Sequence, residues 1–252
     1  MIAIAAYMLK ATLVSGACYF YYQLFLKNKP FHAFNRFYLL SIVVISAIIP
    51  LVHWEWQHTS IDNSSLNAFV QKTDTTVQTF SNSYLASGLW VAIAYAIITL
   101  TILTILFSKI RWIYKIKQAS PCTPSEGFTF IETSVEGAPF SFLDNLFWKQ
   151  GLSLTDANGE KVFRHELTHI QQRHTYDRLL VQMVSSLFWI NPFYWLLQKE
   201  LVTVHEFIAD NAAVDDGDTE AFASMLLYTH SNGSYLSPSH HFFNSQKKRR
   251  LT

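Results

Sequence analysis

His165-Glu166-Leu167-Thr168-His169 carries the residues in this chain best suited to chemistry. On a helix, His165 and His169 stand at i and i+4 and share one face, so both imidazoles can reach one zinc ion at ~2.0–2.1 Å. A zinc ion there lowers the pKa of water toward ~7, and Glu166, beside the pair, is placed to take the proton as general base. This is the mechanical content of the H-E-x-x-H pattern. Two histidines do not make a catalytic zinc site, which needs three protein ligands and an open position.

The third ligand is sought downstream. His174 follows His169 by five positions, not the six that would return it to the same site, so it points off the ligand face. His205-Glu206-Phe207-Ile208-Ala209-Asp210 offers a better solution. Glu206 can bind the metal, and Asp210, one turn on, can accept a hydrogen bond from a ligand imidazole and fix its tautomer. Glu200 is the rival, without a carboxylate four positions later. For the oxyanion the candidate donors are His205, His174, His230 and several tyrosines, and the sequence does not choose among them.

Elements must position these groups. Half of the 252 residues are hydrophobic and only 15% are charged, against about a quarter in ordinary soluble domains. Three apolar stretches, about 2–26, 37–54 and 85–107, each approach the ~20 residues that cross a ~30 Å hydrocarbon layer. Basic residues set their orientation: Lys27, Lys29 and Arg36 in the first loop, and Lys109, Arg111, Lys115 and Lys117 after the third stretch, against Lys72 alone in the loop 55–84. The N-terminus is therefore expected outside, the polar loop 55–84 outside as a solvated connector, and everything after Lys109 in the cytoplasm. Tyr19, Tyr21, Tyr22, Phe37, Tyr38, Trp54, Trp56 and Trp112 are expected near the interfaces. With a net charge of +1, nothing suggests direct nucleic-acid binding. Cys18 and Cys122 read as free thiols.

The predicted organisation is three membrane spans over 1–117 and a metallopeptidase domain over 118–252. Residues 118–126 read as a linker, 127–133 as a strand, 140–148 as a second extended piece, 155–159 as a turn, and Lys161 as the start of the motif helix. Leu179–Leu197 is apolar enough for a fourth span, but a straight crossing would put Glu206 across the membrane from His165. A shared zinc ion requires the stretch to fold back, with a break at Asn191-Pro192.

The chain resembles the BlaR/MecR-type antirepressor membrane metallopeptidases. The resemblance rests on Asn35-Arg36-Phe37-Tyr38-Leu39-Leu40, Ala138-Pro139-Phe140-Ser141-Phe142, the H-E-x-x-H motif, Asn191-Pro192-Phe193-Tyr194-Trp195 and Glu206-Phe207-Ile208-Ala209-Asp210. It implies a mainly α membrane protein with three N-terminal transmembrane helices and a cytoplasmic, gluzincin-like α+β zinc peptidase domain, in a bacterial plasma membrane. His165, His169 and Glu206 match the family's zinc ligands, one zinc per chain, and Glu166 its base. The stretch at Ala138-Pro139 looks like the approach to an edge strand where a protein substrate adds. That substrate is expected to be a transcriptional repressor or the chain itself, and a homo-oligomer is allowed. The best-known members carry a penicillin-binding sensor domain after the peptidase domain; none follows within these residues, so β-lactam sensing is not expected of them. Ser245-Gln246-Lys247-Lys248 is read as a chance S-x-x-K. Two other readings stay open: a non-proteolytic signalling or assembly protein that keeps the fold, and an intramembrane-cleaving metalloprotease. Against the second, Gln171, Gln172, Arg173, His174, Asp177 and Arg178 are too polar for lipid.

Overall fold

The computed structural model describes residues 2–27, 29–52 and 64–214, with side chains for 5–27, 29–52 and 88–214. The chain is mostly helical with one small mixed sheet. Helix α1 (Ile2–Tyr21) runs on through a π-helical turn, Tyr22–Leu26. Helix α2 (His32–Ile48) follows Pro30 and closes in a 3-10 turn, Ile49–Leu51, that carries Pro50. Helix α3 (Ser64–Ala119) is the longest. It already includes residues 64–84, which the sequence reading had placed in the polar loop; 53–63 lie outside the described residues. Two stretches are long and apolar enough to cross a membrane, His32–Leu51 and Gly88–Ala119.

The sheet begins where α3 ends. The expected linker is instead strand β1 (Cys122–Ser125), which pairs antiparallel with β2 (Phe128–Thr133). The expected second extended piece is a hairpin, β3 (Phe140–Phe142) and β4 (Asn145–Lys149). Its tight turn places Leu143 in the left-handed region at φ 51°. β4 also pairs parallel with β2, giving the order β1-β2-β4-β3 and leaving β3 at an edge. Lys117 of α3 donates to Asn145 Oδ1 at 2.6 Å, and Asn145 donates on to the Phe142 carbonyl, so the end of α3 holds the hairpin. Ile116, Ile131 and Phe147 pack beneath that link.

Helix α4 (Ala157–Gln171) starts four residues before the expected Lys161. Gly159 is required there: a Cβ would sit 2.0 Å from the Ser153 carbonyl oxygen. The inner face of α4 closes on the sheet through Val162, Ile170, Leu146 and Trp148. Helix α5 (His174–Leu187) and helix α6 (Pro192–Ala213) then form a hairpin, so the apolar stretch 179–197 folds back with its break before Pro192. Asn191 makes that break. Its Oδ1 accepts from the Phe193 N–H at 3.0 Å, capping α6, while Pro192 supplies the preset first helical residue. Its Nδ2 donates to Ser15 of α1 at 2.9 Å.

The hairpin is wedged against the apolar helices. Tyr194 meets Ser46 of α2 at 3.0 Å, Phe193 lies over Gly16, and Phe188 faces Tyr7 at 5.9 Å between ring centroids. Leu39, Ile42 and Val43 of α2 pack with Leu197, Leu201 and Val204 of α6. Tyr19 and Tyr22, expected at an interface, are buried in this core instead, whereas Tyr21, Phe37 and Trp112 are exposed. Leu180, Met183, Leu187, Ile190 and Trp195 face outward on the hairpin, beside the outward apolar faces of α1, α2 and α3.

Candidate metal centre

Two helices meet at the site. α4 brings His165, Glu166 and His169, and α6 brings His205, Glu206 and Asp210. The Nε2 atoms of His165 and His169 are 3.2 Å apart. The Glu206 carboxylate lies 4.0 Å from the first and 3.8 Å from the second. All three ligating atoms fall within 4.8 Å of one another. A tetrahedral ion bonded at ~2.0–2.1 Å separates its ligand atoms by about 3.3 Å, so the set fits zinc with small adjustments. Two imidazoles and one carboxylate, with one position left over, is also the donor set of a hydrolytic zinc site. The three side chains are largely enclosed, at 12–17% exposure.

The electrostatics favour a cation. His165 Nδ1 lies 3.1 Å from Asp210 Oδ1. Burial alone would depress the pKa of His165, but the hydrogen bond and charge of Asp210, with Glu206 and Glu166, outweigh it and lift it to about 9. The surroundings thus favour positive charge at this point, as a proton or as a metal ion. Glu166 is raised to about 7, first by burial, against the opposing pull of His165 and of hydrogen bonds from the side chain and backbone of Ser141. Ser141 belongs to the edge strand β3, so the sheet and α4 jointly aim this carboxyl group. Nothing in the sequence around Ala138-Pro139-Phe140-Ser141-Phe142 singles out Ser141 for this role. The Ala138–Pro139 peptide bond is cis.

His174 and His205, two of the candidates for an oxyanion donor, lie behind His169. α4 stops at Gln172, Arg173 adopts φ 56°, and the chain turns so that His174 opens α5. His174 Nδ1 then lies 2.7 Å from His169 Nδ1, on the side of the ring away from His165. The ring of His205 stacks on His174, with centroids 4.0 Å apart and planes 10° apart. Each is 1% exposed. Both rings are thus buried behind His169, on its side away from His165. His230 lies outside the described residues. Burial, then the nearby charges of His205 and Arg36, takes the pKa of His174 down to about 2, which keeps it neutral.

Asp177 and Arg36 complete this rear layer, and the sequence reading had assigned neither to the site. Asp177 Oδ2 is 3.1 Å from His205 Nε2 and accepts from Arg36 Nε at 2.6 Å. Arg36 also donates to Gln172 Oε1 at 3.2 Å and to the Gln172 carbonyl oxygen. Their signal in the sequence was only that both are charges beside apolar runs.

Residues 150–252 match the family described as BlaR1 peptidase M56. The matched stretch contains His165, Glu166, His169, Glu206 and Asp210, so the resemblance drawn from the motifs holds over this part of the chain. The family points to a membrane-associated, metallopeptidase-like signalling protein. No curated protein matches the chain.

Proposed function

We propose, from the peptidase-family match and the site geometry together, that this chain is a zinc-dependent endopeptidase anchored in a bacterial plasma membrane. On this reading α1, α2 and the apolar part of α3 span the bilayer, with the N-terminus outside and the catalytic cleft on the cytoplasmic side. The observation that carries the proposal is the convergence of His165, His169 and Glu206 within 4.8 Å, with Glu166 beside them on α4. His165, His169 and Glu206 would hold one zinc ion, which when bound supplies Lewis acidity to a peptide carbonyl and to water.

The chain's own residues supply the remainder. Asp210 Oδ1, 3.1 Å from Nδ1 of His165, favours a proton on that nitrogen and leaves Nε2 for the metal. Glu166, steadied by Ser141, takes a proton from water at its carboxylate and returns it to the departing amine; a pKa of about 7 suits both transfers at neutral pH. The edge strand β3, which among the described residues pairs with no strand on the side away from β4, offers backbone groups to an extended substrate, which sets a peptide beside Glu166. The substrate fitting this arrangement is a cytoplasmic protein segment able to extend, such as a loop of a regulator or repressor, or of another copy of this chain.

Metal analysis of the detergent-solubilised protein, wild type beside Glu206→Ala, tests the reading. About one zinc per chain in wild type and a sharp loss in the variant is expected. Carefully prepared wild type without zinc sinks it and leaves a non-proteolytic membrane signalling protein as the better account.

A further inference from the structure

We infer that Arg36, near the start of the apolar helix α2, is a positioning residue for the metal ligand His169, acting through Asp177, His205 and His174. The inference rests on the zinc peptidase reading and goes beyond it by tying the metal centre to a helix of the apolar bundle.

The contacts form an unbroken series. Nε2 of His169 faces the site, so the proton of that ring belongs on Nδ1, which is 2.7 Å from Nδ1 of His174. With the proton there His169 is the donor and His174 the acceptor, which puts the His174 proton on its buried Nε2. A ligand imidazole is aimed by what its other nitrogen meets, and here that partner is a histidine, the role more often filled by a carboxylate or carbonyl. Stacking on His205 supplies the plane, and His205 is fixed in turn by donating Nε2–H to Asp177 Oδ2 at 3.1 Å. Arg36 closes the series, donating Nε–H to the same oxygen at 2.6 Å.

Arg36 holds the other end of His174 as well. Its two remaining nitrogens donate to the side chain and carbonyl of Gln172, the residue that ends α4. Arg173 follows in a left-handed conformation without the glycine that would make this easy, and His174 comes next. One guanidinium thus secures both the turn that delivers His174 and the carboxylate that orients the ring stacked upon it. Arg36 is 7% exposed, and its planar, fixed donor array is what three such bonds require. A displacement of α2, whose Leu39, Ile42 and Val43 pack on α6, therefore reaches His169 through Arg36.

A purely structural role would also make Arg36 a buried tie between helices, so the test reads the metal and not stability alone. The full chain in detergent is loaded with Zn2+ and titrated with a chelator, then loaded with Co2+ and examined by visible absorption, with thermal unfolding in parallel. Arg36→Gln and Asp177→Asn are each expected to weaken metal retention by about tenfold or more and to shift the cobalt bands. Arg36→Lys is expected to recover only part of the loss, because one ammonium cannot bond Asp177 and Gln172 in the same fork. Lys27→Gln is the control: Lys27 pairs with Glu200 at 2.8 Å and ties the turn after α1 to α6. It is expected to lower the melting temperature and leave the metal unchanged. Wild-type affinity and spectrum in Arg36→Gln and Asp177→Asn overturn the inference, as does an equal metal loss in Lys27→Gln. Should Arg36→Gln fail to fold, Asp177→Asn decides alone. Wild type that binds neither ion overturns the peptidase reading itself, whereas bound wild type with unaffected variants removes only the role of Arg36.

Discussion

Helices α4 and α6 both bring ligands to one point, yet they are held by different materials. α4 rests on a sheet: Val162 and Ile170 pack on Leu146 and Trp148, and Ser141 of the edge strand reaches Glu166. α6 rests on the apolar bundle: Tyr194, Leu197, Leu201 and Val204 pack with Tyr19, Tyr22, Leu39 and Val43. Glu166, His165 and His169 are therefore positioned by the small sheet, and Glu206 by the apolar helices. The comparison teaches that the site lies on a seam. Neither side has a complete ligand set without the other.

Substitutions on the two sides should separate these contributions. The largest effect is expected on the α4 side. Glu166→Ala should lower peptide hydrolysis by about 10²–10⁴-fold while keeping the metal, read as kcat beside zinc content. On the α6 side, Asp210→Asn should weaken zinc affinity by about 10–100-fold, because His165 loses the partner 3.1 Å from its Nδ1; chelator competition measures it. Gly159→Ala attacks the seat of α4, since the added methyl meets backbone rather than a movable side chain. A loss of about 1–3 kcal/mol is expected in denaturant unfolding. Tyr194→Phe attacks the seat of α6 and removes the buried bond to Ser46, with about 1 kcal/mol lost and zinc affinity nearly intact.

The smallest effect is a pH dependence at the seam. Burial alone would raise the pKa of Asp177, but hydrogen bonds from His205 and Arg36 outweigh it and hold it below the ordinary carboxylate value. A carboxyl with a depressed folded pKa stabilises the protein above its unfolded value, about 3.9, and loses that contribution as pH falls through the folded pKa. Stability should decline in acid below about pH 4, and Asp177→Asn should flatten that decline. An equal acid sensitivity in the variant would place the responsible group elsewhere.

What the sequence made legible was local in sequence or periodic. His165, Glu166 and His169 declare themselves by one helical turn, Glu206 and Asp210 by another, and Asn191-Pro192 marks the break that brings the two together. The apolar runs announced helices, although their ends were misplaced: α4 begins before Lys161, and α3 before residue 85. What stayed hidden was long-range. Arg36 and Asp177 are 141 positions apart, and each had a sufficient ordinary explanation as a charge flanking an apolar run. His174 was read from helical spacing alone. The helix in fact ends before it, in a turn that no Gly or Asn announces at position 173, so its ring turns toward His169 from behind. Tyr19 and Tyr22 looked like interface aromatics because the partner that buries them is an element from the far end of the chain.

The cap at Asn191 has one more consequence. It pins the first turn of α6 to Ser15 of α1, and Glu206 stands fifteen residues along the same helix. At 1.5 Å per residue that is a stiff arm of roughly 22 Å, and a tilt of about 3° about the pinned end swings the carboxylate by about 1 Å. A displacement of that size separates a closed ligand set from an open one, so α6 acts as a lever whose fulcrum is Asn191 and whose load is the metal.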